Sequence, residues 1–291
     1  MADFTDPAVV HSLSNQNLPE RTPVDRLEDA VDAVAARLSA MKLPGEWSTT
    51  CFRPSENRTQ FANFARAKAG GVTIDDVTLE RRIGSQSMNA MVYEGSVEGQ
   101  RVAVKFMPRV YRDSWDQEVR VAQLLGNMSL RNPGKPFPIV VGSGETMVEL
   151  PTNFPSQQGA SQETARINAV AQGKSKREAL LIARESKIKS TVYARYLISE
   201  LARSDLQSVI NPSSYREQME CALRELHSAG YAHGDAHLGN FLLTPDNAVL
   251  IHDFGDTFKT TRASDFAEDF AKLDEALSRH SAPQTVEAPL K

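Results

Sequence analysis

The sequence predicts an α+β protein. Strand-like runs with β-branched residues follow one another from about residue 77 to residue 107, whereas apolar residues recur at helical spacing in several other segments. Glycine, proline and asparagine separate these segments. Hydrophobic residues make up 41% and charged residues 24% of the 291 residues, which is typical of a globular protein with a substantial core.

The N-terminal part predicts two helices behind a polar leader. Residues 1–21 show no apolar periodicity and predict a flexible leader. A helix is expected from Thr22, a capping residue followed by proline, to about Met41. A second helix is expected over about 56–69, before two glycines. Neither helix contains a set of catalytic residue types, so we expect packing or partner docking.

The next segments predict three strands, a helix and further strands. The strands are VTLERRIG, NAMVYEGS and RVAVKFM. A helix is expected to begin at Ser114, which forms a capping-box pattern with Gln117, and to end at Gly126. Residues 137–150 predict one or two more strands.

An insert-like segment precedes the remaining elements. Residues 151–175 are rich in Ser, Gln, Asn and Ala, and residues 174–190 predict a basic, partly amphipathic helix. This helix fits a membrane or partner surface, although a solvated insert is the favoured interpretation. The segments that follow predict a strand in TVYARYLISEL and helices in ARSDLQSVI and SYREQMECALRELHSAG. Two short strands, FLL and AVLI, are expected on either side of the turn TPDN, and a last helix is expected over about 264–279.

Charge and cysteine usage limit the possible functions. A net charge of −4 does not favour a nucleic-acid-binding protein. Cys51 and Cys221 lie far apart, without a CxxC pattern, which argues against a disulfide framework or a zinc site and suits a reducing compartment. No apolar run reaches the roughly 18 residues of a membrane helix, and no signal-peptide pattern is present. The expected location is cytoplasmic, with export into a host cell's cytosol left open.

Two charged residues in the middle of the chain suggest a buried ion pair. Lys105 lies in the predicted strand RVAVKF. Glu118 shares the apolar face of its predicted helix with residues three, four and seven positions later. Because an unpaired buried carboxylate is costly, Glu118 needs a cationic partner, and Lys105 is the candidate.

The loop HGDAHLGN, residues 233–240, contains the most specific pattern. Asp235 and Asn240 are five residues apart, and Asp253 in IHDFGD follows Asn240 by thirteen. Carboxylate and amide oxygens are hard ligands that suit Mg²⁺. Phosphoryl transfer requires such ligands together with a lysine and a residue that positions the attacking hydroxyl. His237 either touches a phosphate or the acceptor, or stabilises the loop, and the second role is favoured.

In this order and at these spacings, the five residues resemble the motifs of the protein-kinase-like superfamily, and the resemblance covers about residues 77–280. It implies a two-lobed protein-kinase-like fold with an N-terminal helical extension and an abbreviated C-lobe. The implied domains are a leader at 1–21, a helical extension at 22–72, an N-lobe at 73–200 with an insert at about 151–190, and a short C-lobe at 201–291.

The resemblance also assigns roles to individual residues. Asp235 would orient the attacking hydroxyl or accept its proton, and Lys105, paired with Glu118, would hold the α- and β-phosphates of ATP. Asn240 and Asp253 would bind Mg²⁺. The remaining ATP contacts would come from the phosphate-covering loop and from backbone groups of the hinge: Gly84 and Ser85, Glu200 and Ala202.

The chain departs from the usual kinase pattern in three places. The phosphate-covering loop keeps only Gly84 of its glycines, and Gly234 replaces the arginine that meets a phosphorylated activation loop in regulated kinases. Only 36 residues follow Gly255, and no APE sequence occurs among them. In this respect the chain resembles minimal kinases among bacterial type III effectors and the compact tRNA-modification kinases.

The expected function is ATP- and Mg²⁺-dependent phosphoryl transfer to a Ser or Thr hydroxyl of a protein, in the manner of a minimal effector kinase. Three alternatives remain open. The loop HGDxHxGN also resembles that of aminoglycoside and choline phosphotransferases, which suggests a small-molecule substrate. The altered glycine loop permits AMP transfer. Finally, the chain could be a pseudokinase that recruits a partner.

Overall fold

The computed structural model describes residues 54–68, 70–83, 90–109, 114–151 and 154–281. They form an α+β fold, as the sequence predicted. The expected leader, the first expected helix, and the candidate residues Gly84 and Ser85 lie outside the described residues. Every described residue belongs to the compact unit Gly45–Lys291.

The described residues contain six α-helices and ten strands. The helices are α1 Glu56–Ala67, α2 Ser114–Arg131, α3 Gln157–Ala171, α4 Lys176–Glu185, α5 Arg216–Ser228 and α6 Ala263–Ser281. The strands are β1 Thr78–Ile83, β2 Met91–Val97, β3 Gln100–Pro108, β4 Val140–Glu149, β5 Thr191–Glu200, β6 Ser204–Asp205, β7 Tyr231–Ala232, β8 Phe241–Leu243, β9 Val249–Ile251 and β10 Phe258–Lys259.

A five-stranded antiparallel sheet has the order β1-β2-β3-β5-β4. Side chains alternate between its faces, so Val102 and Val104 of β3 are buried on one face while Lys105 points to the other. Lys105 lies in the middle of the sheet, opposite Val92 of β2 and Leu197 of β5. Smaller sheets, β6-β8-β9 and β10-β7, lie in the second half of the chain.

Two hydrophobic clusters hold these layers together. One joins α1 to the sheet and includes Phe61, Val104 and Ile198. The other joins α2, α5 and α6 to the short strands; its members include Leu125, Leu223, Phe241, Ile251, Phe254 and Leu273. The second cluster supports the loops on both sides of β8 and β9, which carry the most specific sequence motif.

The prediction that Gly126 ends the helix after Ser114 is wrong, since α2 continues to Arg131. The glycine serves close packing instead: a Cβ at Gly126 would lie 3.0 Å from the Pro138 carbonyl oxygen and from the Val140 nitrogen. Glycine in a helix interior costs about 1 kcal/mol relative to alanine. The contact with the start of β4 offsets that cost and allows the helix to continue.

The segment ARSDLQSVI was predicted to be helical, and this prediction is also wrong. It forms the short strand β6 and a single 3₁₀ turn at Leu206–Ser208. The Asp205 carboxylate accepts hydrogen bonds from the Ser208 backbone nitrogen and hydroxyl, at 2.8 and 2.6 Å. Such local side-chain hydrogen bonds favour turns over continued helix.

The expectation of a chain without a disulfide is wrong. Cys221 is buried in α5 and is disulfide-bonded, whereas Cys51 lies outside the described residues. Spacing along the chain misled the prediction because a disulfide depends on distance in the fold.

None of the described helices combines the length and the apolar composition that crossing a bilayer requires.

Candidate active site

A cleft of about 1180 Å³ lies between the five-stranded sheet and the loops around β8. Sheet and helix residues, including Lys105 and Glu118, line one side, and loop residues, including Asn240 and Asp253, line the other. The backbone segment after β5, with Glu200 and Ala202, also reaches the cleft. Most of the predicted site residues therefore meet in one cavity although they are far apart in sequence.

Lys105 connects three separate elements. Its Nζ lies 2.5 Å from Glu118 Oε1 on α2 and 3.1 Å from Asp253 Oδ1 after β9. The Glu118 side chain is 2% exposed, whereas that of Asp253 is 42% exposed toward the cleft. The predicted Lys105–Glu118 pair is thus formed, and Asp253 joins it while remaining accessible.

This arrangement controls the charges of all three groups. Burial acts to lower the pKa of Lys105, but the carboxylates of Glu118 and Asp253 outweigh it and raise that pKa, so the ammonium persists. Burial raises the pKa of Glu118, with Lys105 opposing the shift. Partial burial also acts to raise the pKa of Asp253, but Lys105, together with His252 and His233, outweighs it and lowers that pKa to about 2. The exposed carboxylate of Asp253 is therefore ionised at neutral pH.

The backbone at Asp253 is in the left-handed region, with φ 62° and ψ 73°. This conformation is uncommon for a residue other than glycine, and it persists only where the surroundings enforce it. Phe254, which follows directly, is buried in the cluster below the loop. A buried anchor next to a strained residue holds the Asp253 carboxylate toward Lys105.

Asp235 and Asn240 are joined within the loop. Asn240 Nδ2 donates to the Asp235 carbonyl oxygen at 2.7 Å and to Asp235 Oδ2 at 3.2 Å. Asn240 is 5% exposed, so its amide is held firmly. With Nδ2 used in these bonds, the Oδ1 oxygen is the group that remains for a cation.

The donor set fits a hard divalent cation. Asn240 offers an amide oxygen and Asp253 an ionised carboxylate, both of which line the cleft. Across the ranges that the structure describes, no three or more His, Cys, Asp or Glu side chains cluster in a way that could hold a metal ion. Mg²⁺ needs no such cluster, because it usually keeps several waters and takes only one or two carboxylates together with substrate phosphates.

His237 contacts the same aspartate. Its Nδ1 accepts a hydrogen bond from the Gly239 backbone nitrogen at 3.0 Å, which leaves Nε2, 3.3 Å from Asp235 Oδ2, as the donor. The favoured interpretation of His237, a loop-stabilising contact, agrees with the Gly239 bond. The second contact also orients the Asp235 carboxylate.

Two histidines, the buried His233 and the partly buried His252, connect the Asp235 loop to the Asp253 loop. His233 Nε2 donates to the His252 carbonyl oxygen at 2.9 Å, and His233 Nδ1 accepts from the Asp235 nitrogen at 3.2 Å. His252 Nε2 bonds with the Gly239 carbonyl oxygen at 3.0 Å. Burial lowers the pKa of His233 and lowers that of His252 to about 4, so both rings are neutral links at pH 7.

Asp269 is an important residue that the sequence reasoning missed. It is 1% exposed on α6. Its carboxylate accepts from the backbone nitrogens of His233 and Gly234 at 2.7 and 2.9 Å, and from His227 Nε2 at 2.8 Å. Lys272, one turn later, donates to the Gly234 carbonyl oxygen at 2.6 Å. Helix α6 therefore fixes the backbone immediately before Asp235.

The structure gives a reason for glycine at position 234 that the resemblance did not indicate. Its φ is 81°, and a Cβ there would lie 2.5 Å from the Asp256 carbonyl oxygen. Both the backbone conformation and the close approach of the two loops require glycine. An arginine could not replace Gly234 without moving the loop.

We expect Gly234→Ala to destabilise the fold and to lower turnover. Gly230→Ala is the matched control, because Gly230 also has φ 81° and a Cβ there meets no described heavy atom within 4 Å. The control should cost about 1 kcal/mol for the left-handed backbone alone, and Gly234→Ala about 1–3 kcal/mol more. Urea denaturation and turnover of both variants check this. Equal costs would contradict the role of the Asp256 contact.

The predicted hinge residue Glu200 has additional partners. Its backbone nitrogen donates to the Ile139 carbonyl oxygen at 3.0 Å, and its Oε1 accepts from the Ile139 nitrogen at 2.8 Å and from Arg58 Nη2 at 3.0 Å. Arg58 of α1 also donates to the carbonyl oxygens of Lys135 and Phe137, each at 2.5 Å. Burial raises the pKa of Glu200, and Arg58 opposes this shift. Helix α1 thus fixes the start of the segment that carries Ala202.

In comparisons with known proteins, no protein-family model and no curated protein matches the chain.

Proposed function

We propose that this protein is an ATP- and Mg²⁺-dependent phosphotransferase with a two-lobed protein-kinase-like fold, and that it transfers the γ-phosphoryl group to a Ser or Thr hydroxyl of a protein. The observation that carries the proposal is the position of Lys105, which bonds both Glu118 and Asp253 at the edge of the cleft that Asn240 lines. A structural ion pair would not need the exposed, ionised carboxylate of Asp253.

The charge distribution in the cleft supports nucleotide binding. The Lys105 ammonium, held by Glu118, would face the α- and β-phosphates, while Asn240 and Asp253 would hold Mg²⁺. When bound, Mg²⁺ would neutralise negative charge on the phosphate oxygens. Glu200 and Ala202 line the same cleft, and their backbone groups would receive the adenine ring.

Asp235 has the surroundings that a catalytic residue needs. Asn240 and His237 hold its carboxylate, while the side chain, at 49% exposure, stays open to an incoming hydroxyl. Asp235 would orient that hydroxyl and accept its proton as the oxygen attacks the γ-phosphorus and the bond to the leaving ADP breaks. The hydrogen bonds that the backbone of residues 233 and 234 donates to Asp269 and accepts from Lys272 keep this geometry fixed.

Mg²⁺-dependent nucleotide binding tests the first part of the proposal. ATP with Mg²⁺ should raise the melting temperature, whereas ATP with EDTA should raise it much less. Asp253→Asn should remove the Mg²⁺-dependent part, and Asp75→Asn, an exposed aspartate outside the cleft, should leave it unchanged. Equal shifts with and without Mg²⁺ in the unsubstituted protein would contradict the proposal and favour a scaffold.

The acceptor is tested separately. The protein is incubated with γ-labelled ATP and either a protein extract or a metabolite extract. Label in protein Ser or Thr supports the proposal, whereas label only in small hydroxyl compounds would replace it by a small-molecule phosphotransferase. A small-molecule phosphotransferase remains an alternative because the chain contains the loop HGDxHxGN, in which His237 Nε2 lies 3.3 Å from Asp235 Oδ2. Action in a host cell after export stays a prediction.

A further inference from the structure

The hairpin of α3 and α4 presents an unusual surface. Nine large hydrophobic side chains are exposed among the described residues, and four of them lie within residues 180–188: Leu180, Leu181, Ile182 and Ile188, at 53%, 51%, 42% and 62% exposure. We define these four, with the six basic residues between Lys174 and Lys189, as the hairpin patch. Scattered exposed apolar residues are normal, but a cluster of this kind marks a contact surface.

Helix α4 places basic and apolar side chains together. At 100° per residue, the outward order around the helix is Leu180, Arg184, Arg177, Leu181. The two acids, Glu178 and Glu185, lie beyond Leu181. Two leucines thus flank two arginines on one acid-free side of the helix.

The opposite side of α4 anchors it. Ala179 and Ala183 are buried on that side and pack toward α3. Ser175 and Glu178 form a capping box that fixes the start of the helix. The segment after the helix is held as well, because the Lys189 nitrogen donates to Ser161 Oγ of α3 at 2.8 Å. The exposed leucines are therefore presented by a fixed element.

The charge of the hairpin patch contrasts with that of the chain. Residues 174–189 contain six basic and two acidic residues, although the whole chain has a net charge of −4. An anionic surface would attract this segment, while most of the remaining protein surface would not share the attraction. The complementary surface must accept both positive charge and apolar side chains.

We propose that the hairpin patch docks the protein on an anionic phospholipid bilayer. Leu180 and Leu181 would enter the boundary between headgroups and acyl chains, and Arg177 and Arg184 would extend along it to the phosphates. A protein groove suits this surface less well, because a groove-binding helix presents apolar anchors at i, i+3 or i+4, and i+7. In α4, Arg177 and Arg184 occupy the positions three and four residues from Leu180 and Leu181.

Vesicle co-sedimentation of the full chain tests this proposal. Vesicles of phosphatidylcholine with about 30% phosphatidylserine should bind the protein, and vesicles of phosphatidylcholine alone should not. Binding should weaken as salt rises from about 0.05 to 0.5 M, because screening shortens the range of the attraction.

Two double variants separate the charged from the apolar contribution. Arg177→Glu with Arg184→Glu should lower partitioning at least about tenfold, and so should Leu180→Ser with Leu181→Ser. Matched controls are Arg216→Glu with Arg279→Glu, on α5 and α6, and Ile210→Ser, a fully exposed isoleucine outside the hairpin patch. The controls should bind as the unsubstituted protein does, and circular dichroism should show that all variants are folded.

Three results would overturn the proposal. The first is no binding to either vesicle, which would assign the hairpin patch to a protein partner or to solvent. The second is equal binding to neutral and anionic vesicles. The third is anionic-vesicle binding that both hairpin double variants leave unchanged, which would place the membrane contact elsewhere in the chain.

Discussion

Asp235→Asn should lower kcat by about 10²- to 10⁴-fold while leaving the fold and nucleotide binding intact. Asparagine has the same shape and keeps an oxygen that can accept the bond from Asn240 Nδ2. It cannot accept a proton from the attacking hydroxyl. Because the Asp235 side chain is 49% exposed, its neutralisation leaves no buried charge unpaired.

Turnover, melting temperature and Mg²⁺-dependent ATP binding should be measured on the same preparation of Asp235→Asn. Asp75→Asn serves as the control for loss of one negative charge at an exposed site. A loss of turnover with unchanged nucleotide binding assigns the chemical step to Asp235. Undiminished turnover would remove this residue from the mechanism.

Lys105→Met should destabilise the protein by about 3–5 kcal/mol near neutral pH, since it leaves the 2%-exposed Glu118 carboxylate without its partner. Burial already raises the pKa of Glu118 from its ordinary 4.5, and without Lys105 the pKa rises further. The folded state then binds a proton that the unfolded state releases above about pH 4.5. The stability of the variant should therefore fall as pH rises above that value, and the deficit should shrink in mild acid.

Denaturant unfolding between about pH 5 and 8 measures this dependence. Lys105→Met with Glu118→Gln removes the buried charge, so its pH-dependent deficit should largely disappear while turnover stays lost. Lys68→Met is the surface control: Lys68 pairs with the 70%-exposed Glu98, and such pairs contribute only about 0–1 kcal/mol. A pH-independent deficit in Lys105→Met would contradict the coupling between Lys105 and Glu118.

The Lys105–Glu118 contact could be predicted because a strand and a helix were readable around these residues. The sequence placed Lys105 in a strand, and helical spacing placed Glu118 on an apolar face. A carboxylate on that face needs a cation, and the structure provides it at 2.5 Å. The third partner, Asp253, lies 148 residues from Lys105, and only the fold brings them together.

The same reasoning would have found Asp269. It lies between Phe266 and Leu273 at helical spacing, so α6 carries a carboxylate on its apolar face, as α2 does. Two of its three partners could not have been named, because they are backbone nitrogens of residues 233 and 234. Backbone recognition leaves no signature in the side chains of the recognised residues.

The errors at Gly126 and in ARSDLQSVI have a common origin. Local propensity was applied where tertiary contacts or side-chain hydrogen bonds decide the structure. At Gly126 the approach of β4 favours glycine inside the helix, and at Asp205 the side chain favours a turn. Likewise, Gly234 was interpreted by its difference from a kinase arginine, whereas the contact with Asp256 explains it directly.

Phosphoryl transfer from ATP is proposed for the cleft that Lys105, Asn240 and Asp253 line, with Asp235 bonded to Asn240. The most direct measurement compares ATP labelled at the γ-phosphate with ATP labelled at the α-phosphate, using the unsubstituted protein and Asp235→Asn with Mg²⁺ and a protein extract. We predict that γ-label enters protein Ser or Thr only with the unsubstituted protein, and that α-label does not. Incorporation of α-label would show AMP transfer, and no incorporation of either label into protein or metabolites would contradict the enzymatic function.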